Sequence, residues 1–201
     1  MTVLPAYRRV LILTAVLLFA RSTDARADFL ITPFVGSAFA GSTTLLDLDF
    51  GAASSKHWTF GASAAWLSDH ILGVEGDFAT VPGFFQNKGG NGLVIGSRVT
   101  TLAGNVIATL PLSVTRESLR PYVTGGLGLM RARAEDLISV QSGNWLGLQL
   151  GAGAIGMLSQ RAGVRFDLRH SRALSRDLTL RGERTSKLSF WRATVGVTLR
   201  Y

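Results

Sequence analysis

The chain predicts an all-β fold: eight antiparallel strands closed into an up-and-down transmembrane β-barrel. Three observations carry that prediction. Runs of about ten residues alternate apolar and polar side chains, which is the length a tilted strand needs to cross a bilayer. The connections between the runs alternate between long and short. The only lysines, Lys56, Lys88 and Lys187, fall in the long connections, whereas a water-facing sheet would carry lysine and glutamate along its strands.

The runs follow a leader. Residues 1–27, MTVLPAYRRVLILTAVLLFARSTDARA, place Arg8 and Arg9 before an apolar run from Val10 to Ala20 and end on Ala25-Arg26-Ala27. Basic residues, a short apolar stretch and a small-x-small site are the parts of a cleaved secretory signal peptide. An anchor helix would need about 20 apolar residues, more than this run holds. Cleavage after Ala27 leaves 28–201 as one β-barrel domain. Without Arg8, Arg9, Arg21, Arg26 and Asp24 the chain keeps 17 of 21 basic and 12 of 13 acidic residues, a net charge near +5. These charges are scattered along the sequence rather than interleaved with aromatics, which argues against nucleic acid as a partner. With no cysteine there are no disulfides and no thiolate metal ligands, and the sequence calls for no cofactor and no metal.

Eight strands are expected at 28–40, 57–67, 70–80, 97–110, 119–132, 145–158, 162–172 and 189–201. Long connections are expected at 41–56, 81–96, 133–144 and 173–188, and short ones near Ser68-Asp69, from Pro111 to Ser118 and from Ser159 to Arg161. With an even strand number both termini share a side with the short turns, as in barrels with periplasmic turns and longer external loops.

The last strand, FWRATVGVTLRY, defines the faces. Trp191, Ala193, Val195, Val197, Leu199 and Tyr201 share one side, and Arg192, Thr194, Gly196, Thr198 and Arg200 share the other. The ten steps from Trp191 to Tyr201 span about 33 Å of strand, or ~25 Å along the membrane normal at a tilt near 40°, the height of the apolar band between two aromatic girdles. Trp58 and Trp66 span eight steps and about 20 Å on the same reckoning. A soluble lipid-binding barrel would turn these faces the other way. The inward faces then hold Thr59, Gly61 and Ser63 on the second strand and Gly147, Gln149, Gly151 and Gly153 on the sixth.

The stretches GVEGDFATVPGFF at 73–85, NVIATLP at 105–111, RPYVTGGLGL at 120–129 and LGAGAIGMLSQRAGVRFDLRHSR at 150–172, with the terminal aromatic strand, resemble the porin-family outer membrane protein β-barrel domain of the small eight-stranded OmpA-like type. The resemblance covers essentially all of 28–201. It implies a location in the outer membrane of a Gram-negative-type cell, contact with outer-membrane lipid, and recognition of the last strand by the barrel assembly machinery. That assembly signal maps to Trp191, Val195, Val197, Leu199 and Tyr201. The oligomeric state stays open.

Inward parity gives Glu75 and Asp77 on the third strand, Arg165, Asp167 and Arg169 on the seventh, and Arg192 and Arg200 on the eighth. The third and seventh strands face each other across an eight-stranded barrel, whose interior only just holds side chains. Buried charges must pair, so Glu75, Asp77, Arg165, Asp167, Arg169 and Arg192 are expected to form an Arg/carboxylate network, with Gly126, Gly128, Gly151 and Gly153 leaving room for the arginine stems. The function expected is structural or interactive rather than enzymatic, with no catalytic residue. The alternatives are a narrow solute or ion channel and a lipid A deacylase-type hydrolase. LRHSRALSRD at 168–177 invites the hydrolase, but Ser171 directly follows His170 and adjacent strand residues point to opposite faces. That family's pattern instead sets the serine two residues after the histidine and follows it with asparagine, where this chain has Arg172. His57 and His70 lack metal-ligand spacing and read as interfacial or turn residues.

Overall fold

The computed structural model describes residues 27–43, 56–68, 71–84, 94–111, 115, 119–136, 140–174 and 188–201. The leader and the residues between these ranges, Lys88 and Lys187 among them, lie outside the described residues. Eight strands run β1 Ala27–Thr43, β2 His57–Ser68, β3 Leu72–Pro82, β4 Val94–Thr109, β5 Leu119–Asp136, β6 Val140–Met157, β7 Ala162–Ala173 and β8 Leu188–Arg200. Each pairs antiparallel with the next, and β8 pairs with β1 to close the barrel. Closure removes both sheet edges, so every strand has two neighbours for its backbone hydrogen bonds. At the seam Leu30 faces Arg200, and Tyr201 N donates to Phe29 O at 3.0 Å.

Alternation decides which residues sit where. On β8 the even residues from Leu188 to Thr198 are buried, while Trp191, Val195, Val197 and Leu199 face out. Phe29, Phe60, Trp66, Phe78, Leu102, Val106, Val123, Leu127, Leu150 and Phe166 are likewise exposed on the outer wall. An apolar belt of this extent suits hydrocarbon rather than water. Of the four tryptophans, Trp58, Trp66 and Trp191 are in that outer wall, whereas Trp145 is fully buried in the lumen.

The turns follow from local chemistry. Pro82 cannot donate to the ladder and Gly83 takes φ 70°, a conformation that favours glycine, so β3 ends there with Gly83 N donating to Ser97 O. Between β6 and β7, Ser159 Oγ accepts from Ala162 N at 3.0 Å. One connection differs from expectation. Residues 133–144 do not form a long loop: β5 runs on to Asp136 and β6 begins at Val140, so most of that segment is a paired ribbon extending the two strands. The other long connections fall between Thr43 and His57, Pro82 and Val94, and Ala173 and Leu188, at the end opposite the termini.

Candidate functional site

The lumen is filled in three layers, and the central one carries the charge. Glu75 and Asp77 enter from β3, Arg165, Asp167 and Arg169 from β7, and Arg192 from β8, and all six are buried. Period-two alternation puts each set on one inner face, and closure brings β3 opposite β7. Arg165 Nη2 lies 2.5 Å from Glu75 Oε2 and 3.0 Å from Asp167 Oδ2. Arg169 reaches three carboxylates: Nη1 is 2.7 Å from Glu75 Oε1 and 3.6 Å from Asp77 Oδ2, while Nε and Nη2 each donate to Asp167 at 2.7 Å. Arg192 Nη2 donates to both oxygens of Asp77, at 2.7 and 2.9 Å. Three carboxylates thus meet three guanidinium groups, and the layer is neutral overall.

Side chains outside the expected set complete the network. Tyr122 Oη on β5 donates to Asp167 and accepts from Arg165 Nε at 2.7 Å, and the Arg165 guanidinium lies 4.6 Å from the Tyr122 ring centre. Asn105 Nδ2 on β4 donates to Glu75 at 3.2 Å and to Gln149 Oε1 at 3.0 Å. Gln149 on β6 also accepts from Arg169 Nη1 at 2.9 Å, and Ser63 on β2 accepts from Arg165 Nη1 at 3.2 Å. The space bounded by Thr32, Ser63, Asp77, Arg165, Arg169 and Arg192 is too small for a water molecule. The inward glycines open that space unequally. A Cβ on Gly151 would stand 2.7 Å from the Arg169 stem, but one on Gly153 would meet the Tyr122 hydroxyl, one on Gly126 the Asn105 amide, and one on Gly128 Ala103. Only the first of the four makes room for an arginine.

Apolar layers lie on either side. Toward the loop end, Ala38, Val81, Phe84, Val99, Met130, Ala132, Trp145, Leu188 and Phe190 pack together, with Phe84 edge-on to Phe190 at 5.4 Å. Toward the termini, Leu30, Ala65, Leu67, Ile107, Tyr122 and Ile155 form a second cluster. At the mouth beyond it, Asp28 lies 3.5 Å from Arg200 Nη1 and 3.9 Å from Arg120 Nη1, and Arg120 also donates to Thr109 Oγ1 at 3.0 Å. Arg200, inward by parity, therefore belongs to this mouth and not to the central layer.

His170 and Ser171 are separated by the wall of the barrel. His170 packs against Trp191 on the outer face with ring centres 4.9 Å apart, and Ser171 is buried inside. A base and nucleophile on opposite faces cannot exchange a proton. His57 lies against Phe84 at 5.8 Å, and His70 lies outside the described residues. No cluster of three or more His, Cys, Asp or Glu side chains among the described residues is disposed to hold a metal ion.

A closed eight-stranded barrel with an apolar outer belt and a packed, charged interior defines the class of small outer-membrane barrels. The chain belongs to the outer membrane protein beta-barrel domain family, whose model matches residues 11–201. Solved structures of similar fold include Neisserial surface protein A, at 15% identity and a TM-score of 0.63, covering 87% of this chain and 99% of that one. The N-terminal β-barrel domain of Pseudomonas aeruginosa OprF is similar at 15% identity and a TM-score of 0.56, over 87% and 97% of the two chains. OprG from the same organism gives 17% identity and a TM-score of 0.52, over 88% and 97%. No curated protein sequence matches the chain.

Proposed function

We propose that the protein is a non-enzymatic outer-membrane barrel with a structural or interaction role, its lumen plugged by the Arg/carboxylate layer. The observation that carries this reading is a neutral layer of three acids and three arginines set between two apolar layers. Ion passage would require opening charge pairs in a low-dielectric interior and wetting both apolar layers, each a barrier to conduction. The protein is exported by a cleaved leader, so that mature protein begins at Asp28, and the barrel assembly machinery recognises the last strand through Trp191, Val195, Val197, Leu199 and Tyr201. Outer-membrane lipid surrounds it, with the termini toward the periplasm.

Planar-bilayer recording of Glu75→Gln combined with Asp77→Asn tests the plug. Parent protein should be silent, and a parent that already conducts at the level of a channel overturns the reading. Orientation has its own test. Lys56 is exposed at the loop-end start of β2, so an impermeant amine reagent should modify it on intact cells. Labelling only after the outer membrane is breached would reverse the orientation.

A further inference from the structure

Arginines far apart in the sequence are gathered on the outer wall. Arg98 of β4 and Arg131 and Arg133 of β5 are all exposed on lipid-facing positions near the loop end. In the register Arg98 stands directly opposite Arg133, and Arg131 stands opposite Thr100, one outward position from Arg98. Residues directly opposite each other across two strands have Cβ atoms about 5 Å apart, so the Arg98 and Arg133 side chains start side by side. No ion pair among the described residues involves Arg98 or Arg131.

The depth of the patch is set by the belt beneath it. Outward residues on β5 are apolar from Leu119 through Val123 and Leu127 to Leu129, ten steps or about 25 Å along the normal at a tilt near 40°. Arg131 is the first outward position past that band, at headgroup depth. Below it two facing positions of the wall carry no side chain. Gly76 of β3 and Gly104 of β4 are register partners on the outer face, and a Cβ on either would have nothing within 4 Å. The register line Gly76, Gly104, Leu127, Leu148, Arg172 climbs from the middle of β3 to the loop end of β7, which fixes the direction of tilt. With that tilt, the glycine pair lies ~13–16 Å along the normal from Arg131, about half the hydrocarbon thickness.

We propose that this part of the β3–β5 wall binds one lipid of the loop-side leaflet: Arg98 and Arg131, with Arg133 adjoining, hold its headgroup phosphate, and an acyl chain lies in the Gly76–Gly104 trough. The chemistry selects this occupant. Planar guanidinium groups bind phosphate oxygens in bidentate fashion, and the cations adjoin an apolar belt on the same face, so the ligand must be anionic at one end and apolar at the other. Naming the leaflet as the outer one rests on the orientation proposed above, whereas binding itself does not.

Native mass spectrometry of the full barrel in detergent, titrated with lipid A and with the same lipid stripped of its phosphates, tests the site. The parent should prefer the phosphorylated form by about thirtyfold, the scale expected when two arginines meet an anionic headgroup. Arg98→Gln with Arg131→Gln should abolish that preference, and Arg98→Lys with Arg131→Lys should keep part of it. Gly76→Leu with Gly104→Leu, which fill open space, should weaken binding of both lipids. Arg161→Gln, at the opposite end of the barrel, should bind as the parent does. Equal affinity of the parent for the two lipids overturns the proposal without any variant, as does a filled trough or a glutamine pair that binds like the parent. Because the isolated barrel is used, failure here and a reversed orientation in cells remain separate results.

Discussion

The barrel contains two sets of Arg/carboxylate contacts that look alike on paper and differ in setting. In the central layer Arg169 and Glu75 are 1% and 4% exposed, and each carboxylate meets two or more donors. At the mouth near the termini, one carboxylate, Asp28, serves two arginines at 3.5 and 3.9 Å, and the Asp28 and Arg200 side chains are about a quarter exposed. Water screens the second set and can replace either partner, whereas the space between Asp77, Arg165, Arg169 and Arg192 in the first is too small to hold it. The comparison teaches that burial, more than pairing distance, decides what a charge contributes.

The largest expected effect comes from unbalancing the central layer. Glu75→Gln with Asp77→Asn leaves three arginines facing Asp167 alone, and breaking a buried ion pair costs about 3–5 kcal/mol. Thermal unfolding in detergent should show a large drop, and a double variant that melts with the parent would remove the distinction between the two regions. Replacing Arg192 with Met should cost less, about 1–3 kcal/mol, because Asp77 keeps Gln149 at 3.4 Å and Arg169 at 3.6 Å as partial replacements. If this variant melts below the double variant, the layer depends on Arg192 more than on its balance. Gly151→Ala tests space instead of charge. The new Cβ would stand 2.7 Å from Arg169 Cγ, an overpacking worth about 1–3 kcal/mol, while Gly104→Ala on the outer wall should be neutral in the same melt.

Which parts of this were legible in the sequence follows from the same comparison. Strand number, order and inward parity could be read because a lipid-facing wall enforces strict alternation, as in Glu75-Gly76-Asp77-Phe78 and Arg165-Phe166-Asp167-Leu168. The six charged side chains were nameable because charge at an inward position in the middle of a strand of a narrow barrel can meet only other inward side chains, whereas Arg120 and Arg200 sit near strand ends and pair at the mouth. Tyr122 and Asn105 were not named, since a phenol or an amide on an inner face carries no mark of its partners until register brings β4, β5 and β7 to one depth. The apolar layers were missed for a different reason. Where both faces are apolar, as at Phe190-Trp191 or Trp145-Leu146, alternation vanishes and period two gives no direction. The arginine patch on the outer wall was hidden by distance along the chain: Arg98 and Arg133 are scattered in sequence and adjacent in space.

The smallest expected effect lies at the mouth and sharpens the comparison most. Asp28→Asn removes the carboxylate that both arginines approach, yet Arg120 keeps Thr109 Oγ1 at 3.0 Å and Ser68 O at 3.2 Å, and Arg200 is partly solvated. The loss should be at most about 1 kcal/mol, the range for exposed pairs. Salt separates the two regions further. The difference between parent and Asp28→Asn should shrink as ionic strength rises, because a partly exposed pair is screened, whereas the deficit of the Glu75/Asp77 double variant should persist. Melting curves of all three proteins at low and high salt provide the readout. A salt-insensitive loss at Asp28 as large as that of the double variant would mean that the mouth is as dry as the centre, and that the plug extends through the apolar layer to the end of the barrel.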